Sequence, residues 1–165
     1  MIKKLRTRPR AEQIARFVRE CEILERIRQR GIPNLVEVRE VSPYVNPPYY
    51  RMKRYVGDSN LLLSRTVRDV KATVSLILPI VRTLRILAEQ REPIYHRDLK
   101  PENLLVENGG DKPTLVLADF GCAFLKDGAS DRLTADFRAV GARAFLAPEF
   151  SYGRVDDVEA DRLRG

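Results

Sequence analysis

The run Tyr95-His96-Arg97-Asp98-Leu99-Lys100-Pro101-Glu102-Asn103-Leu104-Leu105 constrains this chain more than any other stretch. It sets a carboxylate (Asp98), an ammonium (Lys100) and a carboxamide (Asn103) at short fixed offsets, on what reads as one loop. The fold must hold that loop between very different neighbours. Before it, about Val67 to Gln90 reads as a long helical stretch, in which Pro79 should either kink the helix or divide it into two. After it, Leu104 to Val106 and Thr114 to Leu117 read as short strands flanking the turn signal Asn108-Gly109-Gly110-Asp111. The remainder to Glu149 reads mostly as loop.

Nearer the N-terminus, Ile14, Phe17, Val18, Cys21, Leu24 and Ile27 recur at three- and four-residue steps, with Gly31 and Pro33 just beyond as stop signals. This is an amphipathic helix. Leu35 to Val41 then alternates apolar and polar side chains, and Tyr49 to Tyr55 is a second, aromatic-rich run. The turn-forming segment Ser42 to Pro48 between them makes the pair antiparallel strands. No internal repeat or low-complexity segment interrupts the pattern.

A length of 165 residues suits one domain, and 44% apolar with 32% charged residues describes a globular chain with a real core. The longest apolar run, Val74 to Val81, contains Ser75 and Pro79 and falls well short of the roughly 18 to 20 residues of a bilayer span. Lys3, Lys4, Arg6, Arg8 and Arg10 resemble the front of a signal peptide, but no apolar stretch follows them. No membrane segment is expected, and the cytoplasm is the expected location. Cys21 and Cys122 make neither a disulfide framework nor a metal-ligand spacing, and read as packing residues in a reducing compartment. The net charge of +7 is all N-terminal: residues 1 to 60 carry 14 Lys and Arg against 7 Asp and Glu, and the rest carry 16 of each. A solvated helix face accounts for that excess. Without interleaved aromatic residues, no nucleic-acid partner is expected.

Downstream of the Asp98 loop come Asp119-Phe120-Gly121, 21 residues after Asp98 and behind the apolar Leu115-Val116-Leu117-Ala118, and then Ala147-Pro148-Glu149. In that order and at about that spacing, these motifs resemble the signature set of the protein kinase superfamily. The resemblance runs from Lys3 to about Asp161. It implies an α+β, two-lobed protein-kinase-like fold present in part: an incomplete antiparallel small lobe over 1–56, then the hinge and first part of a mainly helical large lobe over 57–165. The hinge is expected near Tyr55 to Asp58. Met52 or Lys53 guards the nucleotide pocket there, with Met52 favoured because an apolar residue suits a packed site.

The resemblance also assigns roles. Asp98 would accept or orient the proton of the substrate hydroxyl, and Lys100 would face the γ-phosphate, an Asp-x-Lys spacing similar to Ser/Thr rather than Tyr kinases. Asn103 and Asp119 would hold Mg²⁺ through oxygen. His96 would be a structural core histidine. Arg97 resembles the arginine that pairs with an activation-loop phosphate, for which Ser130 and Thr134 are the candidate acceptors. Lys3, with Lys4 as the alternative one residue on, would hold the α- and β-phosphates of ATP, paired with Glu20. On a helical wheel Glu20 lies at the edge of the apolar stripe, from which it reaches inward. A unit pair at about 4 Å is worth about 4 kcal/mol at an effective dielectric near 20 before desolvation, enough to fix the lysine.

The implied activity is that of an ATP- and Mg²⁺-dependent protein Ser/Thr kinase, of the kind found in bacteria, acting on protein hydroxyls. Three departures support an alternative, a truncated pseudokinase serving as a binding or regulatory module. The resemblance starts at the lysine strand, without the glycine-rich loop over the ATP phosphates. Ala142 stands where Ser/Thr kinases usually place a hydroxyl bridging Asp98 and Lys100. After Asp161, which resembles a buried aspartate supporting the catalytic loop, the pattern breaks. A small-molecule phosphotransferase fits less well, because that branch usually lacks Lys100-Pro101-Glu102 and Ala147-Pro148-Glu149. On its own the chain is expected to expose apolar surface.

Overall fold

A computed structural model describes residues 1–5, 9–62, 69–108, 112–125 and 145. Strand β1 (Ile2–Lys4) is followed by helix α1 (Ala11–Arg30), then β2 (Val38–Ser42) and β3 (Tyr49–Met52). Next come β4 (Gly57–Asp58), a 3-10 turn at Ser59–Leu62 and helix α2 (Val70–Ala88). Strand β5 (Ile94–Tyr95), a 3-10 turn at Pro101–Asn103, β6 (Leu104–Val106), β7 (Leu115–Leu117) and β8 (Phe124–Leu125) follow. The α+β architecture implied by the sequence is the one observed. The strands form three small antiparallel sheets, ordered β1-β3-β2, β4-β6-β7 and β5-β8.

Helix α1 runs as its periodicity dictates, burying Phe17, Cys21, Ile23, Leu24 and Ile27 on one face. Ile14 is left exposed. At its start the Gln13 side chain accepts from the Arg10 amide at 2.9 Å. At its end Gly31 adopts φ 60°, the left-handed conformation that only glycine takes without steric cost. The second strand begins later than the alternation suggests. Asn34 is left-handed at φ 54°, and Leu35 and Val36 are drawn away from the first sheet to β7. Leu35 forms a parallel bridge with Leu117, flanked by Leu117 N–H donating to Asn34 O at 2.8 Å and Val36 N–H donating to Leu117 O at 2.9 Å. Within β2 the register slips between Val38, opposite Met52, and Glu40, opposite Arg51. Arg39 is the extra residue of that bulge, so alternation read from Leu35 could not locate the strand.

Helix α2 is not divided at Pro79. The ring removes one N–H from the ladder, yet the helix continues, with buried Ile80, Thr83 and Leu87 packing against the core. Thr83 Oγ1 donates toward the carbonyls of Pro79 and Pro33, each at 3.0 Å, which locks the turn after the proline to the segment after α1. At the N-terminus Asp69 caps the helix by accepting from the Ala72 amide at 2.9 Å. The opposite face carries exposed Val70, Val74, Ile77, Leu78 and Val81, a continuous apolar stripe at four-, three-, one- and three-residue steps. No described helix is long and apolar enough to cross a membrane.

One hydrophobic core runs from α1 through the sheets to α2, with Leu24, Leu87, Ile94, Leu117 and Phe120 among its most enclosed side chains. The β6–β7 hairpin is in register, Leu104 opposite Leu117 and Val106 opposite Leu115. It presents the loop before it and the turn after it on the same edge. Val56 N–H donates to Val106 O at 3.0 Å and β4 pairs with β6, so the segment leaving the first sheet is stitched to this hairpin.

Leu117 is fully buried, pairs with Leu104 of β6 and bridges Leu35 of the segment after α1. Leu117→Ala is expected to cost about 2–5 kcal/mol in urea unfolding, against less than about 0.5 kcal/mol for Tyr44→Ala, whose side chain is 83% exposed.

Candidate active site

Two polar clusters meet at the edge of the β6–β7 hairpin. In the first, Lys3 Nζ donates to Glu20 Oε1 at 2.7 Å and to Asp119 Oδ1 at 3.0 Å. Strand alternation aims Lys3 of β1 toward α1, and pairing opposite Tyr50 fixes its height. Lys4, the alternative, is exposed. Glu20 is turned fully inward and is only 3% exposed. Burial pushes its carboxyl pKa up, while Lys3 and the Tyr50 hydroxyl pull it back. Burial likewise disfavours the Lys3 ammonium, but the two carboxylates outweigh it and hold its pKa above the ordinary lysine value. Asp119 resists its own partial burial through Lys3 and the Gly121 amide, and titrates below the ordinary aspartate range.

The second cluster is the loop itself. Asp98 is 8% exposed. Its Oδ2 accepts from Lys100 Nζ at 2.8 Å and from Asn103 Nδ2 at 3.0 Å. Asn103 Nδ2 also donates to the Asp98 carbonyl at 2.7 Å, so Oδ1 is the atom Asn103 offers to a cation. Its hydrogen bond to Asp98 raises the Lys100 pKa, keeping the ammonium charged. Pro101 starts the 3-10 turn that folds Asn103 back over Asp98. The two clusters are joined through the backbone, where Ala118 N–H donates to Asn103 O at 2.9 Å.

His96 lies beneath both. It is buried, sits edge-on to Phe120 at 4.9 Å between ring centroids, and one ring nitrogen bonds Ala118 O at 2.9 Å. Burial lowers its pKa, so the neutral form is favoured. Arg97 and Asp119 both adopt left-handed backbone, at φ 61° and 62°. Such conformations cost of order 1–3 kcal/mol for non-glycine residues and gather at functional sites. Arg97 is half-buried beside Asp98. Its candidate acceptors Ser130 and Thr134 lie outside the described residues, as do Ala142, Ala147-Pro148-Glu149 and Asp161.

Met52 joins neither cluster. It is buried in β3 with its amide and carbonyl bonded to Met1, whereas Lys53 points outward to Glu107 at 2.8 Å. Sequence reasoning missed Tyr50. Its hydroxyl donates to Glu20 Oε1 at 2.9 Å, its ring stacks on Phe17 at 5.8 Å, and Lys3 Nζ lies 5.7 Å from the ring centroid. The aromatic run announced a strand but not a hydroxyl aimed at a buried carboxylate. The cysteines also differ from one another. Cys21 is enclosed, and burial pushes its thiol up to about 12. Cys122 is half-buried and receives a hydrogen bond from Arg16 rather than packing in the core.

The donor set fits a hard cation of the magnesium type. Lys3 and the Gly121 amide both use Asp119 Oδ1, and Asn103 donates through Nδ2, so Asp119 Oδ2 and Asn103 Oδ1 are the protein oxygens that could meet a cation. Among the described residues no three His, Cys, Asp or Glu side chains converge as a self-sufficient metal site. Magnesium takes one or two protein oxygens and completes its shell with water and phosphate oxygens, so this sparse set suits a cation that arrives with a phosphorylated ligand.

The Lys3–Glu20–Asp119 set and the Asp98–Lys100–Asn103 loop both lie in a stretch that matches a known family. The family model for the protein kinase domain matches residues 1–161, and the chain belongs to that family. It is 33% identical over 90% of its length to serine/threonine-protein kinase dkf-2 of Caenorhabditis briggsae, covering 12% of that protein. To serine/threonine-protein kinase PkaA of Streptomyces coelicolor it is 30% identical over 92% of its length, covering 27%. Human serine/threonine-protein kinase H1 is 33% identical over 79% of the chain, which covers 30% of that protein. The chain thus spans less than a third of each of these relatives.

Removing the Tyr50 hydroxyl leaves Glu20 with one partner fewer in a buried position. Tyr50→Phe is expected to cost about 1.5–3 kcal/mol in chemical unfolding. Because the folded pKa of Asp119 is depressed, its share of stability is present above the ordinary value of 3.8 and lost as pH falls through the folded value. A carboxyl NMR titration should place Asp119 below 3.8 in the wild type, and Lys3→Met should move its midpoint up.

Proposed function

We propose that the chain carries the phosphoryl-transfer centre of a protein Ser/Thr kinase that moves the γ-phosphate of ATP, with Mg²⁺, to a protein hydroxyl. The observation that supports this best is the joint hold on Asp98 by Lys100 and Asn103. The loop aspartate is fixed and ionisable, with a cation and an oxygen donor at its side.

In this reading Lys3, held between Glu20 and Asp119, grips the α- and β-phosphates, and Met52 lines the pocket for the base. Asp119 and Asn103 would hold a magnesium ion, which when bound would neutralise phosphate charge. Asp98 Oδ orients the acceptor hydroxyl and takes its proton as the new O–P bond forms and the bond from the γ-phosphorus to the departing ADP oxygen breaks, while Lys100 faces the oxygens of the transferring group. His96 keeps the loop seated on Ala118. Arg97 is the group to receive an activating phosphate. Residues 1–56 are the small-lobe part, and 57–165 the hinge and large-lobe part. The lysine two places after Asp98 and the names of the relatives favour Ser or Thr acceptors in a protein substrate. A soluble, cytoplasmic setting accords with the charge and the two free thiols.

The test is transfer of radiolabelled phosphate from Mg·ATP to a generic Ser/Thr protein substrate. Asp98→Asn should lower the rate by about 10²–10⁴ while leaving nucleotide affinity within about twofold, since Asp98 acts on the acceptor. Nucleotide binding with no transfer by the wild type would instead favour the regulatory-module reading.

A further inference from the structure

Helix α1 sends two side chains, not one, to the Asp119 turn. Besides Glu20, Arg16 lies one helical turn earlier, on the same face. Arg16 Nε donates to Gly121 O at 2.5 Å, and Nη2 of the same guanidinium lies against Cys122 Sγ. A planar fork thereby holds two consecutive residues just after Asp119, through a main-chain atom and a side-chain atom together.

Gly121 shows how tightly these groups close. A Cβ placed there would lie 3.1 Å from Asp119 Oδ1, 3.4 Å from Glu20 Oε2 and 3.8 Å from Arg16 Nε. The backbone φ is not left-handed, so what glycine provides here is room for these side chains rather than conformational freedom. Its amide donates to Asp119 Oδ1 at 3.2 Å and its carbonyl receives Arg16. Gly121 is therefore one link in a continuous chain from Arg16 to the Asp119 carboxylate.

We infer that Arg16 is a positioning residue: its guanidinium clamps Gly121 and Cys122 to α1, so that Glu20 and Asp119 reach the same Lys3 ammonium in register. The clamp rests on the proposed reading only in taking Asp119 as the carboxylate that holds the metal. Asp119 sits in a strained left-handed conformation at the start of a turn whose next described elements are short. Without the fork, no side chain of α1 would hold the main chain of the turn, and Lys3 would be the one side chain left to tie Asp119 to Glu20. A lysine at position 16 would keep the charge but offer one donor atom, unable to span both acceptors.

The experiment compares wild type, Arg16→Gln and Arg16→Lys by amide hydrogen exchange on the nucleotide-free chain. The Gly121 and Ala123 amides, bonded to Asp119 Oδ1 and Phe120 O, should exchange about five- to tenfold faster in Arg16→Gln. Those of Val36 and Leu117, bonded between the post-α1 segment and β7, should stay within about twofold. Arg16→Lys should restore only part of the protection. Equal acceleration at all four amides, no change at any, or full protection in Arg16→Lys would overturn the clamp. A second measurement, fluorescent ATP-analogue affinity with Mg²⁺ and with EDTA, should show Arg16→Gln losing affinity about fivefold or more only when Mg²⁺ is present. A wild-type chain with no Mg²⁺-dependent affinity would sink the metal-holding role of Asp119, while the exchange data would still decide whether Arg16 clamps the turn.

Discussion

The ammonium of Lys3 between Glu20 and Asp119 is the contact on which the other arrangements rest. Three parts of the chain far apart in sequence end there: the first strand, the middle of α1 and the turn after β7. Glu20 is nearly sealed from water, and a buried carboxylate without a cation is strongly unfavourable. The core around Phe17, Cys21 and Leu24 therefore closes at lower cost with Lys3 in place. The converse also holds, since α1 cannot roll Glu20 outward without removing those apolar side chains from the core. Electrostatics and packing thus select the same orientation of the helix.

The Asp98 loop shows a second coupling, between strain and support. Arg97 and Asp119 hold unfavourable backbone conformations on either side of His96. The imidazole touches the main chain of one segment and, less closely, the Asp98 amide of the other at 3.4 Å. Neutral, buried and flanked by Phe120, it is a rigid spacer between the two segments rather than a proton carrier. The site thus contains a histidine whose value lies in shape and hydrogen bonding.

Much of this was legible from local sequence. The helical spacing of Phe17 to Ile27 placed α1, and Gly31 marked its end. The Asp98, Lys100 and Asn103 offsets gave a loop whose members do touch, because a proline-initiated turn closes over a few residues and needs nothing distant. What could not be read depends on pairing across the chain. Leu35 and Val36 left the expected strand for β7, a long-range partner that alternation does not encode. The bulge at Arg39 shifted the remaining register. Pro79 did not divide its helix because Thr83 and the buried Ile80 anchor the turn beyond it. Tyr50 and Arg16 went unnoticed since each gains its importance from a group brought near only by folding. Met52, favoured from sequence over Lys53, is the buried one of the two, and they face opposite ways because successive strand residues do.

The parallel bridge at Leu35 has a mechanical consequence. Backbone bonds on both sides of Leu117 fasten the chain just beyond α1 to the hairpin, so the C-terminal end of α1 is an axle, and the contacts of Arg16, Phe17 and Glu20 set the angle at which its N-terminal half sits. Glu20 lies 11 residues before Gly31, a lever arm of about 16 Å at ~1.5 Å per residue. A swing of about 10° about that axle carries the carboxylate by nearly ~3 Å, the length of its own bond to Lys3. A small angular change at one secured end is therefore enough to connect or disconnect the ammonium at the other.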